Sequence, residues 1–183
     1  MAATKHAQLI QKDSQDYLTE ALFQLLEKKS LEEIKVTELV TRAGVSRMAF
    51  YRNYQGLEDI IRQYFAPKLS RMFDNVIFQK SATIKLQDMQ TFFDEFAAQL
   101  RLSMQRNYEY LIRDLFTENM SHYYENWTGL DPVKQRYWSV FMTNGVYGIW
   151  REWMLSGQRE PFANLHKLIK TLQDTTELAL KQR

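Results

Sequence analysis

Between residues 41 and 57 the chain carries Arg42, Arg47 and Arg52 and no carboxylate. A guanidinium holds phosphate oxygens by charge and can pair bidentately with the edge of guanine. In the same window Ser46 offers a hydroxyl, Tyr51 a phenol and Asn53 an amide, all able to donate to an oxygen. These residue types suit recognition of a polyanion rather than bond making. Catalytic material is poor elsewhere. His6, His122 and His166 are the only histidines and lie far apart in sequence. Glu118, His122 and Glu125 can share one helical face, but solvated helix faces often carry such residues. No Gly-rich phosphate loop, nucleophile elbow or paired catalytic carboxylate stands out. The reading is no enzyme, no metal and no cofactor.

The elements that must position the arginines are legible in residues 36–54, VTELVTRAGVSRMAFYRNY. Leu39, Val40 and Ala43 can face inward on one short helix, 36–43. Gly44 can take the left-handed conformation that a sharp inter-helix turn needs. Val45 can plug the angle between the helices. Ser46 can cap a second helix, 46–53, by accepting from a backbone N–H. This is the pattern of a helix-turn-helix, whose second helix enters the major groove.

Composition agrees with helices. The chain has 183 residues, with only 6 Gly and 3 Pro to make the turns of a many-stranded sheet. Zero Cys excludes disulfide frameworks, Cys-based zinc sites and thiol chemistry. A hydrophobic fraction of 45% fills a core and argues against disorder. The formal net charge is only +2, and residues 1–66 hold nine basic and nine acidic side chains. The positive charge that matters is therefore local. It implies modest affinity per subunit, so a dimer is expected. The start of the chain shows no apolar signal segment. The longest uncharged stretch, 137–150, is too short and too polar to span a bilayer. No membrane partner is expected.

Apolar spacing places the remaining helices. The first is expected to start after Asp13 or Ser14, with the stripe Tyr17, Leu18, Ala21, Leu22, Leu25 and Leu26. A long stripe from Leu57 to Val76 is interrupted by Pro67, where a kink or break is expected. Such a kink can set the angle of a connecting helix. Two further helical faces follow, around 86–104 and 111–127. Asp131 is a good N-cap and Pro132 a good first residue for a helix over 132–155. That helix is apolar on more than one face and so needs more than one apolar neighbour. Gly145 and Gly148 lie three apart inside it and permit close backbone approach across a dimer interface. Trp153, with Leu165, Ile169 and Leu172 of the last helix, is expected to join that interface as half of a four-helix bundle. Phe92, Phe96, Tyr108, Phe116, Tyr123, Trp127, Trp138, Phe141 and Tyr147 can line a pocket for a flat apolar or cationic molecule. Taken singly, each ring is better explained by core and dimer packing.

The segment AGVSRMAFYRNYQGLEDII, residues 43–61, resembles the DNA-binding signature of the TetR (tetracycline-repressor-like) transcriptional regulators. The resemblance is strong over the first third of the chain and architectural beyond it. NGVYGIWREWMLSG, residues 144–157, is similar to the penultimate, dimer-forming helix of many members. The resemblance implies an all-α chain: an N-terminal three-helix helix-turn-helix unit over 1–56, then a C-terminal regulatory and dimerisation domain over 57–183. Helix 57–77 would be the connector. It also implies a cytoplasmic homodimer on a palindromic double-stranded DNA operator, acting as a repressor released by a small apolar or aromatic effector. Carried over by position, Ser46 caps the recognition helix and touches phosphate. Arg47, Met48 and Ala49 face bases or the groove wall, Tyr51 reaches a phosphate, and Arg52 meets phosphate or solvent. Three departures weaken the backbone anchoring. Lys35 stands where many members have Thr, with Thr37 or Lys35 itself as substitute. Asn53 replaces a His, and Leu57 replaces a phosphate-binding Lys. The alternative they keep open is a co-regulator of the same fold acting through a protein partner, with weak or no DNA binding.

Overall fold

The computed structural model describes residues 5–78, 81–125 and 129–181, the side chains of 5–10, 76–78 and 125 excepted. Trp127, one of the expected pocket rings, lies outside the described residues. The order is α1 (Lys5–Leu26), a 3-10 turn (Leu31–Glu33), α2 (Val36–Ala43), α3 (Arg47–Asn53) and α4 (Leu57–Phe78). Then come α5 (Ala82–Gln105), α6 (Glu109–Glu125), α7 (Pro132–Leu155) and α8 (Phe162–Lys181). The described residues are all-α, a helix-turn-helix unit followed by a helical domain.

One expectation changes, and of the kink or break expected at Pro67 the break is absent. α1 begins nine residues before Ser14, at Lys5. The stretch KHAQLIQKD holds good helix formers and no Gly or Pro, so nothing stops the helix at Asp13. α4 continues through Pro67 without a break. Proline removes one backbone bond and crowds one carbonyl, but Phe65 and Leu69 are fully buried on either side of it. Their burial holds the helix together across that defect.

Contacts divide the chain into two compact units, residues 1–67 with 102–112, and residues 68–101 with 113–183. In the first unit, Leu18, Leu22 and Leu26 of α1, Leu39 of α2, Phe50 of α3 and Ile60, Ile61 and Phe65 of α4 form a dry centre. Burying one such side chain fully is worth roughly 1.5–3 kcal/mol before entropy. Phe23 stacks edge-on against Tyr64 and Phe65. The corner between α5 and α6 belongs here too. Arg106 donates to the Glu27 carbonyl at 2.6 Å, just past the end of α1, where a cation complements the helix dipole. The Leu31 N–H donates to the Arg106 carbonyl, Asn107 bonds Glu32 and Tyr110 bonds Glu58.

The second unit is built on rings. Phe93 of α5 meets Trp150 and Trp153 of α7 and Phe162 of α8, at 5.2, 5.6 and 5.5 Å between centroids. Phe116 of α6 meets Phe73, Phe92, Tyr147 and Trp150. α7 starts as its sequence demands: Asp131 accepts from the Val133 and Lys134 N–H groups, with Pro132 following it. Those bonds hold the Asp131 carboxyl below its ordinary pKa, the Lys134 N–H contributing most.

Candidate functional site

α2 ends on Gly44, whose φ of 67° and ψ of 26° are left-handed. A side chain at that φ would be strained, so glycine is what permits the turn. Two residues on, Ser46 accepts from the Ala49 N–H at 3.1 Å and starts α3. Ser46→Ala is expected to cost about 0.5–2 kcal/mol in a urea titration, with Ser46→Asn close to wild type. Equal midpoints for Ser46→Ala and wild type would remove the cap from the account.

α3 is seven residues long and two-sided. Phe50 is fully buried, and Tyr54 just beyond the helix is buried beneath it. Burial pushes the Tyr54 phenol up, while a hydrogen bond with Thr19 of α1 acts the other way. Arg47, Met48, Tyr51 and Arg52 are all exposed. At 100° per residue these four positions cover one continuous face of about 140°, turned away from Phe50. Met48 is 75% exposed and Tyr51 is 62% exposed. Large side chains left this bare on a face with two cations form a surface built to be covered. Ala49 sits at the rim of that face, half-buried.

Other members of the predicted set are placed differently. The Arg42 guanidinium donates to Gln24 of α1 at 2.9 Å, so it braces α2 rather than joining the α3 face. Asn53 is drawn inward: its Nδ2 donates to the Ala49 carbonyl at 2.8 Å and its Oδ1 accepts from Gln11 at 2.9 Å. Gln63 reaches its carbonyl from α4. Lys35 is the exposed N-cap residue of α2, with no side-chain cap bond, and Thr37 is exposed in the first turn. Nearby, Lys29 pairs with Glu38 at 2.7 Å. The early start of α1 is what brings Gln11 to Asn53, a contact the expected start would have left out.

The expected pocket rings separate. Phe92, Phe96 and Phe116 are buried together, Phe92 lying 5.1 Å from Phe96 and 6.1 Å from Phe116. Tyr147 is half-buried against Phe116. Trp138 packs instead on Tyr124, which packs on Tyr123. Burial drives the Tyr124 phenol well above its ordinary range and raises Tyr123 too. Tyr108 belongs to the first unit, fully buried, its phenol also driven up by desolvation. Phe141 is exposed on α7 and lines an open groove of about 510 Å³ with Val133, Tyr137 and Leu180. The rings at the centre of the second unit, Phe93, Trp150, Trp153 and Phe162, were not singled out as pocket residues. Helical spacing marked them as apolar, but it does not tell which apolar face lies innermost.

The expected interface residues also divide. Gly145, Gly148 and Leu172 are exposed, and a Cβ at either glycine would meet nothing within 4 Å. Trp153, Leu165 and Ile169 are covered by their own chain. Tyr137, Val140 and Phe141 are exposed on the glycines' side of α7, and Leu168 is exposed on α8. Among the described residues no group of His, Asp or Glu could hold a metal, and no helix is long and apolar enough to cross a membrane.

A three-helix unit carrying the helix-turn-helix, followed by a set of longer helices, is the arrangement of the described residues. The chain is similar to the solved structure of dihydroxyacetone kinase operon activator DhaS, with a TM-score of 0.55, at 14% identity, over 91% of this chain and 97% of that one. At that identity the likeness is one of fold. No family model and no curated protein matches the sequence.

Proposed function

We propose that this chain is a transcriptional repressor that binds a palindromic operator as a homodimer and is released by a small molecule. The observation that carries the reading is the outward face of α3. Arg47, Met48, Tyr51 and Arg52 stand together on a capped helix whose opposite side is locked into the core by Phe50. Recognition helices read bases with their N-terminal residues, which makes Arg47 the base reader and Tyr51 and Arg52 the phosphate contacts. Selection from a random double-stranded DNA pool, followed by binding at several salt concentrations, tests this. A two-fold-symmetric site with affinity that falls with salt is expected, and a pool without enrichment would sink it.

For the dimer, the proposed surface is Tyr137, Val140, Phe141, Gly145 and Gly148 of α7 with Leu168 and Leu172 of α8. Two such pairs make a four-helix bundle about a two-fold axis. Phe141→Glu is expected to turn a dimer into a monomer in sedimentation velocity. Its helical content should be unchanged, since Phe141 is 60% exposed and the chain's own core does not depend on it. A dimer that survives this change uses another surface.

A second reading, a co-regulator acting through a protein partner, draws on two contacts. Arg42 and Asn53 are spent on Gln24, Ala49 and Gln11, which leaves fewer groups for phosphate. The DNA selection decides between the two.

A further inference from the structure

We infer that the ring cluster of the second unit contains an effector site anchored by Trp150 and Thr143, and that its ligand is a neutral, planar molecule with a hydrogen-bond acceptor. The inference rests on the ligand-responsive reading above and gives that ligand a place and a chemistry.

Three described tryptophans lie on α7, and their indole N–H groups are treated unequally. Trp138 donates to Thr176 at 3.0 Å, and Trp153 donates to the Glu160 carbonyl at 2.9 Å. Trp150 is 4% exposed, and its Nε1 is buried with no partner. Thr143 is the second exception. Thr19, Thr91 and Thr171 return their hydroxyls to the carbonyl four residues back. The Thr143 Oγ1 is buried with no partner, in a residue 1% exposed. Unpaired buried donors are rare in folded chains because nothing replaces the water they gave up. Two of them, seven residues apart, fall on one side of α7 about 10 Å from each other.

Between them lies Tyr147, half-buried, whose ring is 5.8 Å from Phe116. Phe116 and Phe93 complete the surroundings of Trp150, at 5.4 and 5.2 Å. Rings favour a flat guest that stacks or meets an edge. The Trp150 indole can only donate, so the guest must accept there, while the Thr143 hydroxyl can do either. The residues whose rings meet Trp150 carry no charge, so an ion placed there would lose hydration with no countercharge. Lys68 stands over Phe96, at 5.8 Å, not over the rings that meet Trp150.

Acetophenone, ethylbenzene and benzoate test the site on the full chain labelled with 15N at the tryptophan indoles. Acetophenone and ethylbenzene share a shape and differ in the acceptor; benzoate adds charge. Saturable movement of the Trp150 indole signal by acetophenone is expected, with binding about fivefold tighter than for ethylbenzene. That preference should vanish in Trp150→Phe and shrink in Thr143→Val, which keeps the volume. Benzoate should leave the signal unmoved. A Trp150 signal unmoved by acetophenone, an equal preference in both variants, or tighter binding of benzoate each overturns the site as stated. Operator binding of the ligand-free samples is read separately. Its loss with ring binding intact counts against the regulator reading, not against the site.

Discussion

Arg47→Ala is expected to weaken operator binding by about 2–6 kcal/mol per dimer, at least roughly thirty-fold in Kd. Each subunit contributes about 1–3 kcal/mol, the worth of one bidentate Arg–guanine pair. The size follows from position. Arg47 is the first residue of α3, held at the outward edge by the Ser46 cap, with Phe50 fixing the helix from below. Little else on this surface shares the load: Arg42 is bonded to Gln24, Asn53 to Ala49 and Gln11, and Leu57 carries no charge. The same loss should relax sequence preference at one base pair in each half-site. Tyr51→Phe and Arg52→Ala remove phosphate contacts, so they should weaken all sequences alike, and Arg52→Ala should flatten the salt dependence. Fluorescence anisotropy with the selected site and single-base variants reads both effects. Wild-type affinity and preference in Arg47→Ala would move the reading role off α3.

The helix-turn-helix was legible because each part has a local cause. Gly44 turns the chain through its own φ, Ser46 caps through its own hydroxyl, and Phe50 and Arg47 diverge by helical geometry alone. The part played by Arg42 and Asn53 was not legible. Their partners, Gln24 and Gln11, are 18 and 42 residues away in sequence, and polar pairs of that kind leave no periodic trace. At Pro67 the sequence left a kink or a break open. The helix is not broken: packing by Phe65 and Leu69 offsets the local cost, and packing is a long-range quantity. The interface candidates show the same limit. The two glycines and Leu172 are exposed, whereas Trp153, Leu165 and Ile169 fill the chain's own core. A helix apolar all round declares that it has two neighbours, not which residue meets which.

Phe93→Ala is expected to cost about 3–5 kcal/mol, the range for emptying a buried Phe site. Phe93 is 1% exposed and touches rings on three other helices: Phe116 of α6, Trp150 and Trp153 of α7 and Phe162 of α8. Those neighbours are themselves ring-packed, so the void cannot close without disturbing several contacts at once. The effect can be read selectively. All four tryptophans fall between residues 127 and 153, and the first unit has none. Tryptophan emission therefore follows the second unit, and its midpoint should drop by roughly 6–20 °C. Benzene should recover part of that loss, because a void lined by rings is apolar and stays dry. Leu178→Ala is the matched control, since that side chain is 57% exposed and should shift the midpoint little. A drop in Phe93→Ala no larger than the control's would mean that the cluster is loosely packed. The rings would then have room to rearrange without penalty, and the unpaired Trp150 N–H could find a partner within the protein.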